Sequence, residues 1–261
     1  MMAHILRYNR QYRQGFTLVE LSVVLVIIGL IVGGVLLGRD MIRMSEIRAT
    51  VAQVEEFKTA SNAFNLKYNC LPGDCRNATN FLSGTGNGDG NGKLDSVTFR
   101  FNAIEYLYAW QHLAMAGLIK GSYTTVISGA TYQADINYPS GELGGGFGVI
   151  NLQAFAGGGL AGTGKLFPAQ YGNTLLLGTP WADASSYVPI RAAMTGLDAK
   201  RIDEKYDDGL PGYGNIVTWM NTSNYSPGCS STDDATTAVY VNTSSLSANG
   251  IRCSLFFLNA F

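Results

Sequence analysis

From Phe16 to Gly38 the chain runs for about 23 residues with one charged side chain, Glu20, and no other feature constrains the fold as strongly. As a helix this run covers about 35 Å, enough to cross a hydrocarbon core of ~30 Å. Arg7, Arg10 and Arg13 precede it with no acid among them, a bias that holds the amino terminus on the cytoplasmic side. A secretory signal would carry a shorter apolar stretch and then a small-residue cleavage site, which Gly33 and Gly34 only faintly suggest. The expectation is one membrane crossing with everything after it exported.

Composition narrows the function classes. Charged residues make up 14 % of the 261 residues, against a usual ~25 %. The net charge is −1, so no global field draws phosphate backbones, and bulk nucleic-acid binding is disfavoured. The only histidines are His4 and His112, too few for a multi-histidine metal site, and no nucleophile or carboxylate constellation accompanies them. No catalytic residue is nominated, and the chain reads as a non-enzyme.

A carboxylate at the centre of a membrane helix costs roughly 2.5 to 3.5 kcal/mol, so Glu20 needs a reason. A helix start, where the dipole favours negative charge, supplies a bland one. The context Gly15-Phe16-Thr17-Leu18-Val19-Glu20, with a basic leader before it and an unbroken apolar helix after it, supplies a sharper one. It resembles the signal of type IV prepilins and type II secretion pseudopilins. The resemblance implies that a prepilin peptidase cuts between Gly15 and Phe16 and methylates the new amine. It also implies that Glu20 pairs with such an amine during assembly, and that the partners are other pilin-like subunits and an inner-membrane platform with its ATPase. The location implied is the bacterial inner membrane, single-pass with a periplasmic C-terminal domain, and then a pilus or pseudopilus. The proline that kinks the apolar helix of many major pilins is missing. Gly29, Gly33, Gly34 and Gly38 stand there as possible sources of flexibility and close helix approach.

Past Arg39, the residues Met44, Ile47, Val51, Val54, Phe57 and Phe64 recur at helical spacing, with charges between them and no proline before Pro72. The predicted organisation is a removed leader over 1–15, a membrane or filament-core helix over 16–38, its amphipathic continuation over 39–68, and an exported globular domain over 69–261. Two helices joined near 38–40 satisfy the same pattern. A second helix is expected over 102–120, stopped by Gly121, with His112 as a packed structural residue. Short strands are expected over 124–128, 148–152, 174–177, 216–220, 238–242 and 251–258. The fold class is therefore α+β, pilin-like, with a long N-terminal helix packed on a domain that holds an antiparallel sheet.

Cys70, Cys75, Cys229 and Cys253 all follow the apolar run, in the compartment where disulfides persist. Three pairings are possible. The turn Leu71-Pro72-Gly73-Asp74 brings Cys70 within reach of Cys75, which leaves Cys229 with Cys253. A C-terminal disulfide loop is also similar to that of many type IV pilins. Asn87, Asp89, Asn91, the Lys93 carbonyl and Asp95 alternate like the front half of an EF-hand loop, a candidate calcium site. Thr98 stands where the bidentate glutamate belongs, so modest affinity is expected unless Asp74 or another carboxylate completes the shell; a plain Asn-Gly turn is the competing reading.

Two stretches, 157–162 and 159–165, imitate phosphate loops, but Leu166 replaces the magnesium-binding hydroxyl and no strong strand precedes them. Asp203-Glu204-Lys205-Tyr206-Asp207-Asp208 reads as a solvated helix end before a turn. That segment, Leu71-Pro72-Gly73-Asp74 and Trp110-Gln111-His112-Leu113 look like recurring segments of large prepilin-like proteins. Two alternatives accompany the structural-subunit reading. One is a minor tip subunit that binds DNA, sugar or a secreted protein, and the other is a membrane-anchored exported enzyme.

Overall fold

The computed structural model describes residues 15–95, 105–125, 132–152, 166, 167, 169, 171–180, 188–223, 227–241 and 250–261. The chain separates into two compact units, divided between Ser45 and Glu46. Helix α1, Leu18–Tyr68, contributes to both. In the first unit its residues are solvent-facing, and it is the one described helix long and apolar enough to cross a membrane. Thr17 and Glu20 start it with a reciprocal capping box: Glu20 N–H donates to Thr17 Oγ1 at 3.2 Å and Thr17 N–H donates to Glu20 Oε2 at 2.8 Å. The other end stops at Asn69, whose φ of 54° and N–H bond to the Asn65 carbonyl (2.8 Å) make a left-handed cap.

In the second unit α1 turns Ile47, Thr50, Val54, Phe57, Ala60, Ser61 and Phe64 inward. Phe57 is the anchor, meeting Trp110 of α2 (Glu105–Met115) and Phe147 of β1 (Gly146–Asn151), each edge-on at 5.0 Å. The main sheet is antiparallel in the order β1, β2 (Asn173–Gly178), β6 (Leu255–Phe257) and β4 (Ile216–Val217). Its register sets Phe147 opposite Leu177, Leu176 opposite Phe256, and Ile216 opposite Phe257. Every residue of β1 and β2 is buried, so this sheet is covered on both faces. A smaller sheet pairs β3 (Met194–Thr195) with β5 (Ile251–Cys253), and α3 (Gly196–Tyr206) follows β3. Thr195 caps α3 by accepting from Asp198 N–H. Disulfides join Cys70 to Cys75 and Cys229 to Cys253, with Cα separations of 5.3 and 5.0 Å.

The α+β class with a long N-terminal helix and an antiparallel sheet agrees with the sequence reading; several element bounds do not. Helix α2 ends at Met115 and not near Lys120, because Gly117 (φ 71°) closes a Schellman turn: Leu118 N–H reaches the Leu113 carbonyl and Gly117 N–H reaches that of Ala114, both at 3.0 Å. The strand expected over 251–258 is two strands in different sheets. The chain changes sheet at Ser254, whose hydroxyl donates to the Ile190 carbonyl and whose carbonyl accepts from Thr218 Oγ1. The 238–242 expectation reduces to a bridge between Tyr240 and Ser230, with Asn242 outside the described residues. Of 124–128, Thr124 and Thr125 lie outside any strand and the rest is outside the described residues, as is the phosphate-loop lookalike before Leu166.

Candidate functional site

Two groups of candidate residues lie in different units. The first is the amino-terminal segment. Phe16 is 89 % exposed, and the Glu20 carboxylate folds back over the first turn to take both the N–H and the hydroxyl of Thr17 (2.8 and 2.9 Å). This holds the charge beside the backbone that follows Gly15 and Phe16. A Cβ added at Gly15, Gly29, Gly33, Gly34 or Gly38 would meet nothing within 4 Å. The fold of a single copy therefore gives no reason for glycine at these positions.

The second group is built on the Cys70–Cys75 turn. Gly73 takes a φ of 96°, and a Cβ there would strike the Glu105 carbonyl and approach Leu94 Cδ2 to 2.9 Å, so the turn sits hard against α2. Its N–H donates to His112 Nδ1 at 2.9 Å, and His112 Nε2 lies 3.1 Å from the Gly86 carbonyl. With Nδ1 accepting, Nε2 carries the proton and donates to Gly86. Burial keeps this imidazole neutral, its pKa lowered to about 4. Both nitrogens are occupied by backbone, as the structural reading of His112 expected.

That staple positions Asp74. Its carboxylate accepts N–H bonds from Gly90 (2.6 Å), Asn91 (3.1 Å) and Gly92 (2.7 Å), so the glycine-rich loop curls around it. Glu105, the first residue of α2, accepts from Asp89 N–H (2.8 Å) and Asp95 N–H (3.2 Å). The far end of the loop is tied to the sheet: Leu94 N–H donates to Asn173 Oδ1 at 3.0 Å and Asn151 N–H donates to the Leu94 carbonyl at 2.7 Å. Asp74, Asp89 and Glu105 thus bring carboxylate oxygens within 4.8 Å of one another.

The electrostatics follow from burial. Desolvation raises Glu105 to about 7 despite its two N–H bonds, with Asp74 and Asp89 adding to the rise. Desolvation also raises Asp74, against three N–H bonds that lower it, and raises Asp95, where Asp89 adds to the effect. Three hard oxygen donors at this spacing can hold a divalent cation once ionised.

The predicted ligands are only partly gathered here. Asp89 belongs to the cluster, and Asp95 contributes its N–H to Glu105. Asn91 accepts from Lys93 N–H and donates to Asp89 Oδ2, so it braces the loop. Asn87 turns away, its Oδ1 taking Thr79 N–H at 3.0 Å. Asp74, which the sequence offered as a further carboxylate, joins Asp89 in the cluster, whereas Glu105 was missed. Its only sequence signal is an acid opening the α2 pattern ten residues past Asp95. The Asp203 segment also differs from expectation. The helix does end there, at Tyr206, but Asp203 is fully buried under Tyr240, whose hydroxyl donates to it at 2.8 Å.

Residues 10–36 match the family model described as Prokaryotic N-terminal methylation motif. The match covers the last basic residues of the leader, Gly15, Phe16, Glu20 and most of the apolar run. It supports the reading of the chain as type IV prepilin- or pseudopilin-like. No curated protein and no solved structure matches the chain.

Proposed function

For a chain that carries a pilin-like amino terminus, we propose a structural role: a subunit cut between Gly15 and Phe16 by a prepilin peptidase, methylated on Phe16, and assembled through its apolar helix into a type IV pilus or secretion pseudopilus. The observation that carries this reading is the coincidence, in sequence, of a basic leader, Gly15, Phe16 and Glu20 with an apolar run that forms an exposed helix from Leu18. Cutting before the apolar run keeps the anchor in the mature chain. It also creates a cation four residues from a carboxylate that is costly in lipid. Side by side, two copies each relieve the other's unpaired charge, which fixes their stagger more than it adds affinity. Losing the leader takes the net charge from −1 to −4, so helix packing and not surface attraction holds the filament. The assembly platform and its ATPase are the further partners of this reading.

Mass and sequence at the amino terminus of the mature protein test it, with N-methylated Phe16 as the expected first residue. Glu20→Ala is expected to be processed and folded yet absent from filaments. An intact leader on the natural protein, or normal filaments from the variant, removes the premise.

A second property concerns the loop at 87–95. We infer that it holds a calcium ion, because Asp74 and Glu105 supply the carboxylates that Thr98 does not. Calcium is expected to raise the melting temperature relative to chelator, and Asp89→Asn combined with Glu105→Gln is expected to abolish the shift. A shift that survives in the double variant places the ion elsewhere.

A further inference from the structure

The Cys70–Cys75 disulfide closes a ring around Leu71, Pro72, Gly73 and Asp74, and the last two members of that ring, Asp74 and Cys75, hold the loop over 87–95. Gly88 N–H donates to the Cys75 carbonyl at 2.8 Å, and the N–H groups of Gly90, Asn91 and Gly92 donate to the Asp74 carboxylate at 2.6, 3.1 and 2.7 Å. A side chain at Gly88 would run into the backbone of Asp74, so the loop lies directly on the ring. The carboxylate is held there against opposition: desolvation acts on its charge first, and Asp89 adds like-charge repulsion. Opening the ring frees the backbone of 71–74, which lets the Asp74 carboxylate recover water. The Gly73 N–H bond to His112 then remains as a tether of the turn on α2, but it fixes neither the Asp74 side chain nor the Cys75 carbonyl.

The two disulfides differ in access. Cys75, Cys229 and Cys253 are fully buried, whereas Cys70, just past the Asn69 cap of α1, is half-buried. Exchange requires that a thiolate reach one sulfur of the bridge, so the approach to the first disulfide is through Cys70, and neither half of the second is exposed. Attack by one thiolate of a dithiol breaks the Cys70–Cys75 bond, joins the reagent to Cys70 and releases Cys75 as a thiolate. The second thiol of the reagent then displaces Cys70. The protein takes up two electrons and two protons, and the dithiol leaves as a cyclic disulfide.

We propose that the Cys70–Cys75 disulfide is a redox latch on the 87–95 loop, which is ordered while the bridge is closed and released when a dithiol reduces it. Weaker calcium binding on reduction is the consequence, and that part rests on the calcium reading above. The test uses the full-length chain in detergent, oxidised or treated with increasing dithiothreitol, with free thiols alkylated and mapped by mass. Cys70 and Cys75 are expected to be labelled at concentrations that leave Cys229 and Cys253 bridged. In chelator, hydrogen exchange over 87–95 should quicken roughly tenfold or more on this reduction, while exchange over β2 stays as it was. Cys70→Ser combined with Cys75→Ser should reproduce that exchange without reductant. Calcium affinity, read by competition with a chromophoric chelator, should fall roughly tenfold or more in the reduced chain and in the double variant. Labelling of Cys229 and Cys253 before or together with the first pair overturns the latch, as does unchanged exchange over 87–95 in the reduced chain. Equal calcium affinity in the oxidised and reduced chains overturns the consequence for the ion. No calcium binding by the oxidised chain removes the calcium reading itself, and the exchange in chelator still decides the latch.

Discussion

His112 is the residue on which the carboxylate loop turns, through geometry and not catalysis. It satisfies a buried donor on Gly73 and the Gly86 carbonyl at once, across separations in sequence of 39 and 26 residues. His112→Phe keeps the ring and its stacking on Phe64 and Tyr108 but leaves both backbone groups unpaired. At roughly 1 to 3 kcal/mol per orphaned group, the expected loss is about 2 to 6 kcal/mol, a fall in Tm of the order of 10 °C for a domain of this size. Thermal unfolding in chelator at pH 7 checks this, and a loss under 1 kcal/mol would show that water replaces the imidazole. The histidine's role was legible in the sequence only as a bland one, since its partners come from a loop whose path the spacing does not reveal. Asp203 is the converse case. A run of charges reads as solvated, yet Tyr240, bridged to Ser230, covers the first of them.

At the scale of elements, what the sequence disclosed and what it hid divide by the range of the interactions. The inward stripe of α1 from Ile47 to Phe64 is a local periodicity, and the helix buries Ile47, Val54, Phe57 and Phe64, while Val51 is half-buried and Met44 at the head of the stripe remains 36 % exposed. The end of α2 is local too, but Gly117 and Gly121 are equally plausible stops by composition; both have positive φ, and only the bonds to Leu113 and Ala114 single out Gly117. Strands are less local. β1 and β2 were found within a residue or two of their bounds because their apolar runs pair over six positions. β5 and β6 form one apolar run and are separated by the demands of two different sheets at Ser254, a constraint carried by Ile190 and Thr218 far away in sequence. The carboxylate loop follows the same rule: its alternating side chains were visible, whereas the approach of Glu105 depends on where α2 begins.

For the second unit as a whole these local perturbations oppose one another in pH. His112 has a folded pKa of about 4, below its ordinary 6.5, so its contribution to stability is present above about 6.5 and is lost as the pH falls toward 4. Glu105 and Asp203 are both raised to about 7, so theirs is present below about 4 and lost as the pH rises through 7. Between pH 5 and 8 the carboxylates dominate, since two groups titrate there against the upper part of one. In chelator, stability is therefore expected to fall across that interval. At the calcium site proposed above, binding needs Glu105 ionised and displaces its proton, which reverses the sign of that term. The calcium-induced rise in Tm should accordingly be several degrees larger at pH 8 than at pH 5.5, with close to one proton released per ion bound near pH 6. Glu105→Gln should remove most of the pH dependence of the calcium effect while leaving the Asp203 contribution in place. Thermal unfolding at the two pH values with calcium or chelator, together with calorimetry in buffers of different ionisation enthalpy, measures both quantities. A calcium shift of equal size at pH 5.5 and 8 would mean that the ion does not use Glu105.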